Sequence, residues 1–263
     1  MILITFDQSK AIVMNFQKRK QKILDELNRH GEVDIKQLAA ELQISEITTR
    51  RDLNLLAADG LLYRTHGGAV KVNPLDKPHT FENKTAQNAG VKDALCRKAA
   101  EQIKDDDIIF MDCGSTVFRL CQFIKNKKIK VITNSLPVIY ALQDSLVSIN
   151  IIGGELDKER QAVHGSTANR HISNYRANKA FLGVDGISLN GLFANSENEA
   201  GITTAFALNS AYTYILCDES KVGKETYLNF AGLDLIDAVI TNASAEKLKG
   251  FDKKGVVVLN VKA

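Results

Sequence analysis

From residue 107 onward the chain repeats one pattern. Short apolar runs rich in β-branched residues occupy 107–112, 130–134, 148–152, 180–184, 213–217, 237–241 and 256–259. Runs of this kind suit strands that are covered on both faces. Between most of them lies sequence of helical length, as at 116–125, 136–143 and 197–211, which is what parallel strands need for their crossovers. The fold class that follows is α/β: a larger domain built on an open, mostly parallel sheet flanked by helices. No internal repeat or low-complexity tract interrupts it.

Upstream the pattern changes to short amphipathic helices. Ile23, Leu24 and Leu27 share one face of a first helix whose other face carries Lys18, Arg19, Lys20 and Lys22. Ile35, Leu38, Ala39 and Leu42, spaced three and four apart, mark a second. After the short connection Gln43-Ile44, Ser45 is placed to cap a third helix over 46–58, and Glu46 suits its positive end. In that helix Thr49, Leu53 and Leu56 fall at i, i+4 and i+7 toward a core, while Thr48, Arg50 and Arg51 point outward. Gly60 is expected to end it, and 61–64 and 65–70 read as two strands around a turn. These parts make a small winged helix-turn-helix, which reads double-stranded DNA with the N-terminal part of its third helix in the major groove. The candidate DNA-contacting set is Ser45, Thr48, Thr49, Arg50, Arg51, Arg64 and His66. Taken alone, Arg50 and Arg51 are equally surface partners of Glu46 or Asp52.

Pro74 and Pro78 stand close together in a polar stretch that neither a helix nor a central strand can cross, so 71–85 reads as a linker. The expected domains are therefore 14–70 and 86–263. Helical patterning sets in just after Met14, which is the expected native start. A formal charge of +3 and pI near 8.5 permit a polyanionic partner without demanding one. The four cysteines are scattered, with no CxxC pair or histidine cluster, which argues against a disulfide framework and a structural zinc, and no metal or cofactor is expected. No apolar run nears the roughly 20 residues needed to cross a bilayer. The expected location is the cytoplasm.

The strongest ligand signal is Asp112-Cys113-Gly114-Ser115-Thr116, directly after the first strand of the sheet. Small residues at a strand-to-helix turn let backbone N–H groups approach an anion, and the two hydroxyls add donors. A phosphate suits it, although the same loop alone is equally a tight turn with a capped helix. It has neither the GxxxxGK[ST] pattern of nucleoside triphosphate sites nor the GxGxxG of dinucleotide sites. Small and polar residues recur at other strand ends: Thr133-Asn134-Ser135, Gly153-Gly154, Asp185-Gly186 and Asp218 with Lys221. In an open parallel sheet such loops converge on one crevice outside the carboxyl ends of the strands. There Lys221 suits a phosphate, and Asp185 or Asp218 suits sugar hydroxyls.

The run Thr48-Thr49-Arg50-Arg51-Asp52-Leu53, the Ala58-Asp59-Gly60 helix stop and the turn Arg64-Thr65-His66-Gly67-Gly68-Ala69 together resemble the DeoR family of bacterial regulators. Thr49 departs from that family's usual isoleucine, at a core contact. The second half resembles the DeoR sensor domain, similar in fold to ribose-5-phosphate isomerase, through Asp112, Gly114, Ser115 and Thr116; Val131, Thr133, Asn134 and Ser135; Gly153-Gly154-Glu155-Leu156; Phe181-Leu182-Gly183 with Asp185-Gly186; and Asp218, Ser220 and Lys221. The resemblance implies DNA binding by Thr48, Arg50, Arg51, Arg64 and His66, inducer response through Lys84 and Lys92, and a phosphorylated sugar as effector. It also implies a repressor of carbohydrate genes that the effector releases. A winged helix reads a half-site, so a homodimer or homotetramer is expected. The competing reading is a sugar-phosphate isomerase with an accessory DNA-binding domain. In those isomerases an acidic pair closely follows the Asp-Gly turn, whereas Ile187-Ser188-Leu189 stands here; Glu197 and Glu199 are the substitutes on offer. No catalytic residue is assigned.

Overall fold

The structure is a computed structural model that describes residues 15–58, 61–65, 67–71 and 81–261. The expectations resting on Met14, Gly60, His66 and the linker residues 72–80 lie outside the described residues. The chain divides into two compact units, one up to Lys77 and one from Pro78.

In the first unit, α1 (Phe16–His30) leads through β1 (Glu32–Asp34) into α2 (Ile35–Leu42), α3 (Glu46–Ala58), β2 (Leu62–Arg64) and β3 (Gly68–Lys71). The Asp34 carboxylate caps α2 by accepting from the amides of Lys36 and Gln37, and Gln43, left-handed at φ 54°, ends it. Ile23, Leu27, Ile35, Leu38, Leu53 and Leu56 are buried together. Arg19 of α1 grips Asp52 of α3 with two bonds, Nε to Oδ2 at 2.6 Å and Nη2 to Oδ1 at 3.0 Å. A bidentate fork of this kind fixes orientation as well as distance, so it sets the angle at which α3 leaves the bundle. β1, β3 and β2 form an antiparallel sheet in that order, one strand more than the expected pair.

The second unit begins with α4 (Phe81–Ala86) and α5 (Ala89–Ala100). Most of α4 falls in the stretch read as linker, and Phe81 packs edge-on against Phe118 with ring centroids 5.2 Å apart. Next come β4 (Ile108–Met111), α6 (Ser115–Phe118), α7 (Cys121–Ile124), β5 (Lys130–Thr133), α8 (Leu136–Leu142), β6 (Ser148–Ile151), β7 (Glu155–Asp157), β8 (Ala162–His164) and α9 (Ser166–Ile172). The chain finishes with β9 (Lys179–Leu182), β10 (Gly186–Ser188), β11 (Gly191–Ala194), α10 (Glu197–Leu208), β12 (Thr213–Leu216), β13 (Leu228–Ala231), β14 (Ala238–Thr241) and β15 (Val257–Asn260).

All seven apolar runs become strands of one parallel sheet, ordered β15-β14-β12-β9-β4-β5-β6. Period-two alternation sends neighbouring residues to opposite faces. Ile109 and Met111 pack among Val117, Leu120 and Ile124, whereas Phe110 between them packs with Ile202 and Phe206 on the other face. From β4 the chain winds outward to β6, then returns to the other side of β4 and winds outward again from β9. The switch point lies between β4 and β9, and the loops leaving the carboxyl ends of these strands flank the place where sheets of this kind hold a ligand crevice.

One helix departs from expectation. The stretch 116–125 is two single turns, because Arg119 N bonds Thr116 O and Leu120 N bonds Val117 O, a three-residue spacing that closes α6 before α7 starts. A four-residue helix has little macrodipole, so an anion at this loop must draw its attraction from side chains. Among the described residues no helix is long and apolar enough to cross a membrane.

Phe110 is fully buried and its ring lies 4.7 Å from that of Phe206. Phe110→Ala is expected to destabilise the second unit by about 3–5 kcal/mol, read as a lowered midpoint in urea unfolding followed by circular dichroism.

Candidate functional site

Ser45 stands at the start of α3 and its Oγ accepts from the amide of Thr48 at 3.2 Å while sharing a second hydrogen bond with the Thr48 hydroxyl. Arg50 and Arg51 are exposed. Arg50 reaches only a loose 3.8 Å pairing with Glu46, and among the described residues no ion pair is found for Arg51. Ile47, 80% exposed, joins them on the same end of the helix and escaped the sequence reading. Such an apolar side chain suits a thymine methyl. Thr49 corrects that reading: it is fully buried, and its hydroxyl donates to the Ser45 carbonyl at 3.2 Å, so it belongs to the core stripe and cannot reach DNA. Arg64 is turned back onto its own domain, donating from Nε to Asn54 Oδ1 at 2.9 Å and from Nη1 to the Gly68 carbonyl. In this arrangement it braces the wing against α3.

The crevice at the switch point is organised by Asp112. Its Oδ1 accepts from the Gly114 amide at 2.8 Å and its Oδ2 from the Gly183 amide at 2.6 Å, tying the loops after β4 and β9 together. The approach requires glycine at 114, where a Cβ would come within 2.9 Å of Asp112 Oδ1 and 3.5 Å of Gly183 Cα. Burial pushes the Asp112 carboxyl up to about 7, against the two amide bonds that favour its ionised form.

Around this floor stand the charged residues. Lys92 of α5 is buried, and its Nζ donates to the Lys84 carbonyl and to Ser115 Oγ, the latter at 3.2 Å. Burial lowers this ammonium to about 8, although Asp218 pulls the other way. Lys84 is also lowered by burial, with Arg160 and Lys221 adding repulsion and Asp185 and Glu199 attraction. Burial raises the Asp185 carboxyl, but Lys84 and Lys221 outweigh it and hold the group below its ordinary value. Asp185 also accepts from the Asn195 amide at 2.9 Å and sits 3.9 Å from Lys221 Nζ. Asp218 is buried and accepts from the Ser220 amide at 2.9 Å.

Other expected residues serve the turns. Thr133 and Ser135 are fully buried, with Thr133 Oγ1 accepting from the Ser135 amide and Ser135 Oγ capping α8 at Val138. Their side chains are spent, which removes them from direct contact with a ligand. Asn134 donates to the Val163 carbonyl at 2.9 Å, and its Oδ1 is buried with no partner among the described residues. The Gly153 amide donates to His171 Nδ1 at 3.1 Å, and Gly154, at φ +155°, passes so close to the His164 carbonyl that a Cβ would lie 2.8 Å away. This pair of glycines therefore sets the path into the β7–β8 hairpin and presents no free amide of Gly153 to an anion. The Thr116 carbonyl accepts from the Cys96 thiol at 3.0 Å.

Two residues reach the crevice that no motif announced as a pair. Arg160, from the turn joining β7 and β8, meets Glu199, in the first turn of α10, through Nη1 to Oε1 at 2.8 Å and Nη2 to Oε2 at 3.2 Å. Burial raises the Glu199 carboxyl and Arg160 opposes that. Glu197, its alternative on the same helix, is exposed.

Residues 19–74 match the DeoR-like helix-turn-helix domain and residues 87–243 the DeoR C terminal sensor domain. The chain belongs to the DeoR family. It is a DNA-binding transcriptional regulator in which a winged helix-turn-helix precedes an α/β sensor domain. The DeoR-family relatives it resembles include the lactose phosphotransferase system repressor of Lactococcus lactis subsp. lactis, 39% identical over 91% of this chain and 97% of that one. The HTH-type transcriptional repressor GlcR of Bacillus subtilis (strain 168) is 30% identical over 86% and 88%. Among solved structures, a D-ribose-5-phosphate isomerase in complex with phospho-erythronic acid covers 51% of this regulator and 53% of its own chain, at 16% identity and a TM-score of 0.38.

Asp112 yields a stability prediction of definite sign. Its folded pKa, about 7, stands above the ordinary carboxylate value near 4. The stability it contributes is therefore complete below about pH 4 and is lost as pH rises through about 7. Compared with Asp112→Asn, the native chain should lose up to about 1.4 kcal/mol per pH unit across that window; unfolding curves of both proteins at a series of pH values check this, and parallel curves would contradict it.

Proposed function

We propose that this regulator represses genes of carbohydrate uptake or use and that a phosphorylated sugar, bound at the Asp112 crevice and left chemically intact, releases it from DNA. One observation carries the reading. Among the described residues the buried ammonium of Lys92 is hydrogen-bonded to neutral oxygens alone, those of Lys84 and Ser115; Asp218 attracts it from a distance while Lys221, Arg119 and Lys84 repel it. A desolvated cation in that position is stabilised by an arriving dianion, and the Ser115 hydroxyl stands ready as an additional donor. The names of the relatives, repressors of a lactose phosphotransferase system among them, support carbohydrate genes as targets and repression as the direction.

Isomerisation needs a free carboxylate base. Asp185 is shared between Lys221 and the Asn195 amide, and Glu199 is clasped by Arg160. Both acids thus serve better as fixed hydrogen-bond acceptors than as proton carriers, which fits a sensor that holds its metabolite without consuming it.

At the other end of the chain, Ser45 with Thr48, Arg50 and Arg51 of α3 forms the DNA-facing surface, and Arg64 braces the wing beside it. Two or four copies on repeated half-sites give useful specificity. Effector alters operator occupancy by preferring one association of the sensor domains over another, because a ligand shifts an equilibrium only by its differential affinity.

Two measurements check this reading. Against the tightest duplex selected from a random library, Arg51→Ala should weaken binding and lower the slope of log affinity against log salt by about one phosphate's worth, while an unchanged slope would remove Arg51 from the interface. In thermal-shift screening, a pentose 5-phosphate or hexose 6-phosphate should raise the melting temperature of the full chain, since ligand at about 100 times its Kd adds about 2.7 kcal/mol. The shift should vanish in Lys92→Met, and the ligand should be recovered unconverted.

A further inference from the structure

The lysines account for one end of the crevice; the other end has a different chemistry. Arg160 and Glu199 come from separate elements, the β7–β8 turn and the start of α10, and meet in an ion pair with one hydrogen bond, Nη2 to Oε2 at 3.2 Å. The pair is not sealed in the core, since the two side chains keep 26% and 20% of their exposure. The Asn195 amide, just ahead of α10, bonds Asp185 at 2.9 Å, which brings the start of that helix to the Asp185 end of the crevice, and the pair is felt electrostatically by Lys84 and Asp185 there.

We propose that Arg160 and Glu199 read the hydroxyl groups of the bound sugar, so that the crevice selects a singly phosphorylated polyol over phosphate alone. This rests on the reading that the lysine end takes the phosphate. A guanidinium has five N–H donors in a fixed plane, and its hydrogen bond to Glu199 uses only one of them. The carboxylate has about four lone-pair positions, and that bond leaves most of them open. The pair therefore offers donors and acceptors side by side, which is the complement of adjacent hydroxyls, each of which donates and accepts. Its charges cancel, so it has no attraction for a second anion, and Glu199 repels one.

Isothermal titration of the full-length protein tests this with inorganic phosphate, ribose 5-phosphate, glucose 6-phosphate, fructose 6-phosphate and fructose 1,6-bisphosphate. The native chain should bind at least one of the monophosphates more tightly than inorganic phosphate. In Glu199→Gln and in Arg160→Lys that preference should fall by about 10- to 100-fold, with inorganic phosphate bound as before. Unaltered phosphate binding also reports that the crevice of each variant is folded. A preference that survives both substitutions would overturn the assignment of Arg160 and Glu199 while leaving the lysine end intact. Tighter binding of the bisphosphate than of every monophosphate would overturn it as well. If neither the sugar phosphates nor inorganic phosphate binds, the phosphate reading itself fails and the assignment with it.

Discussion

The second unit depends on one carboxyl group. Asp112 receives amides from two loops, Gly114 on its own loop and Gly183 after β9, the latter 71 residues along the chain from Asp112. β4 and β9 are neighbours at the point where the winding of the sheet reverses, so the loops leaving them diverge to opposite sides. Divergence opens the crevice, and the carboxyl holds its floor together. Glycine is needed at 114 because a Cβ there would strike Asp112 itself. Ser115 inherits its position from this clasp, and Lys92 reaches Ser115 across the helical face.

Charge then follows from position. Burial has brought Lys84, Lys92 and Lys221 into one small volume with Asp185 and Asp218, and each lysine is felt by at least one other. Such crowding is unfavourable by itself and becomes favourable with a polyanion in place, which is the physical meaning of a binding site prepared in advance. The helix N-terminus that the loop offers in sequence contributes little, since α6 lasts only four residues. In the proposed phosphate site, side-chain ammonium groups take the part that a long helix plays elsewhere.

The sheet was legible in the chain because strands covered on both faces leave an unbroken apolar signature, and each run from 107–112 to 256–259 holds one of the seven strands. The small strands were not. β1, β7, β8 and β10 are three residues long, too short for a period-two pattern to stand out. At 116–125 the spacing of Val117, Leu120, Cys121 and Ile124 is that of a helix with one buried stripe, and a three-residue hydrogen-bond spacing breaks it without disturbing the stripe. The strand-end loops were visible as clusters of small polar residues, yet composition does not distinguish a hydroxyl that faces a ligand from one that caps a turn. Thr133, Ser135 and Thr49 proved to be of the second kind. Arg160 is a lone arginine in a polar turn, and only folding brings it to Glu199, 39 residues away.

The central claim is that the crevice and the DNA-binding head are linked through a sugar phosphate that is held and not consumed. Operator affinity of the full-length protein, measured at fixed salt with and without a saturating concentration of the sugar phosphate that binds it most tightly, tests this directly. The account predicts weaker operator binding when the ligand is present, with the ligand unchanged afterwards. Identical affinity in both conditions would contradict it.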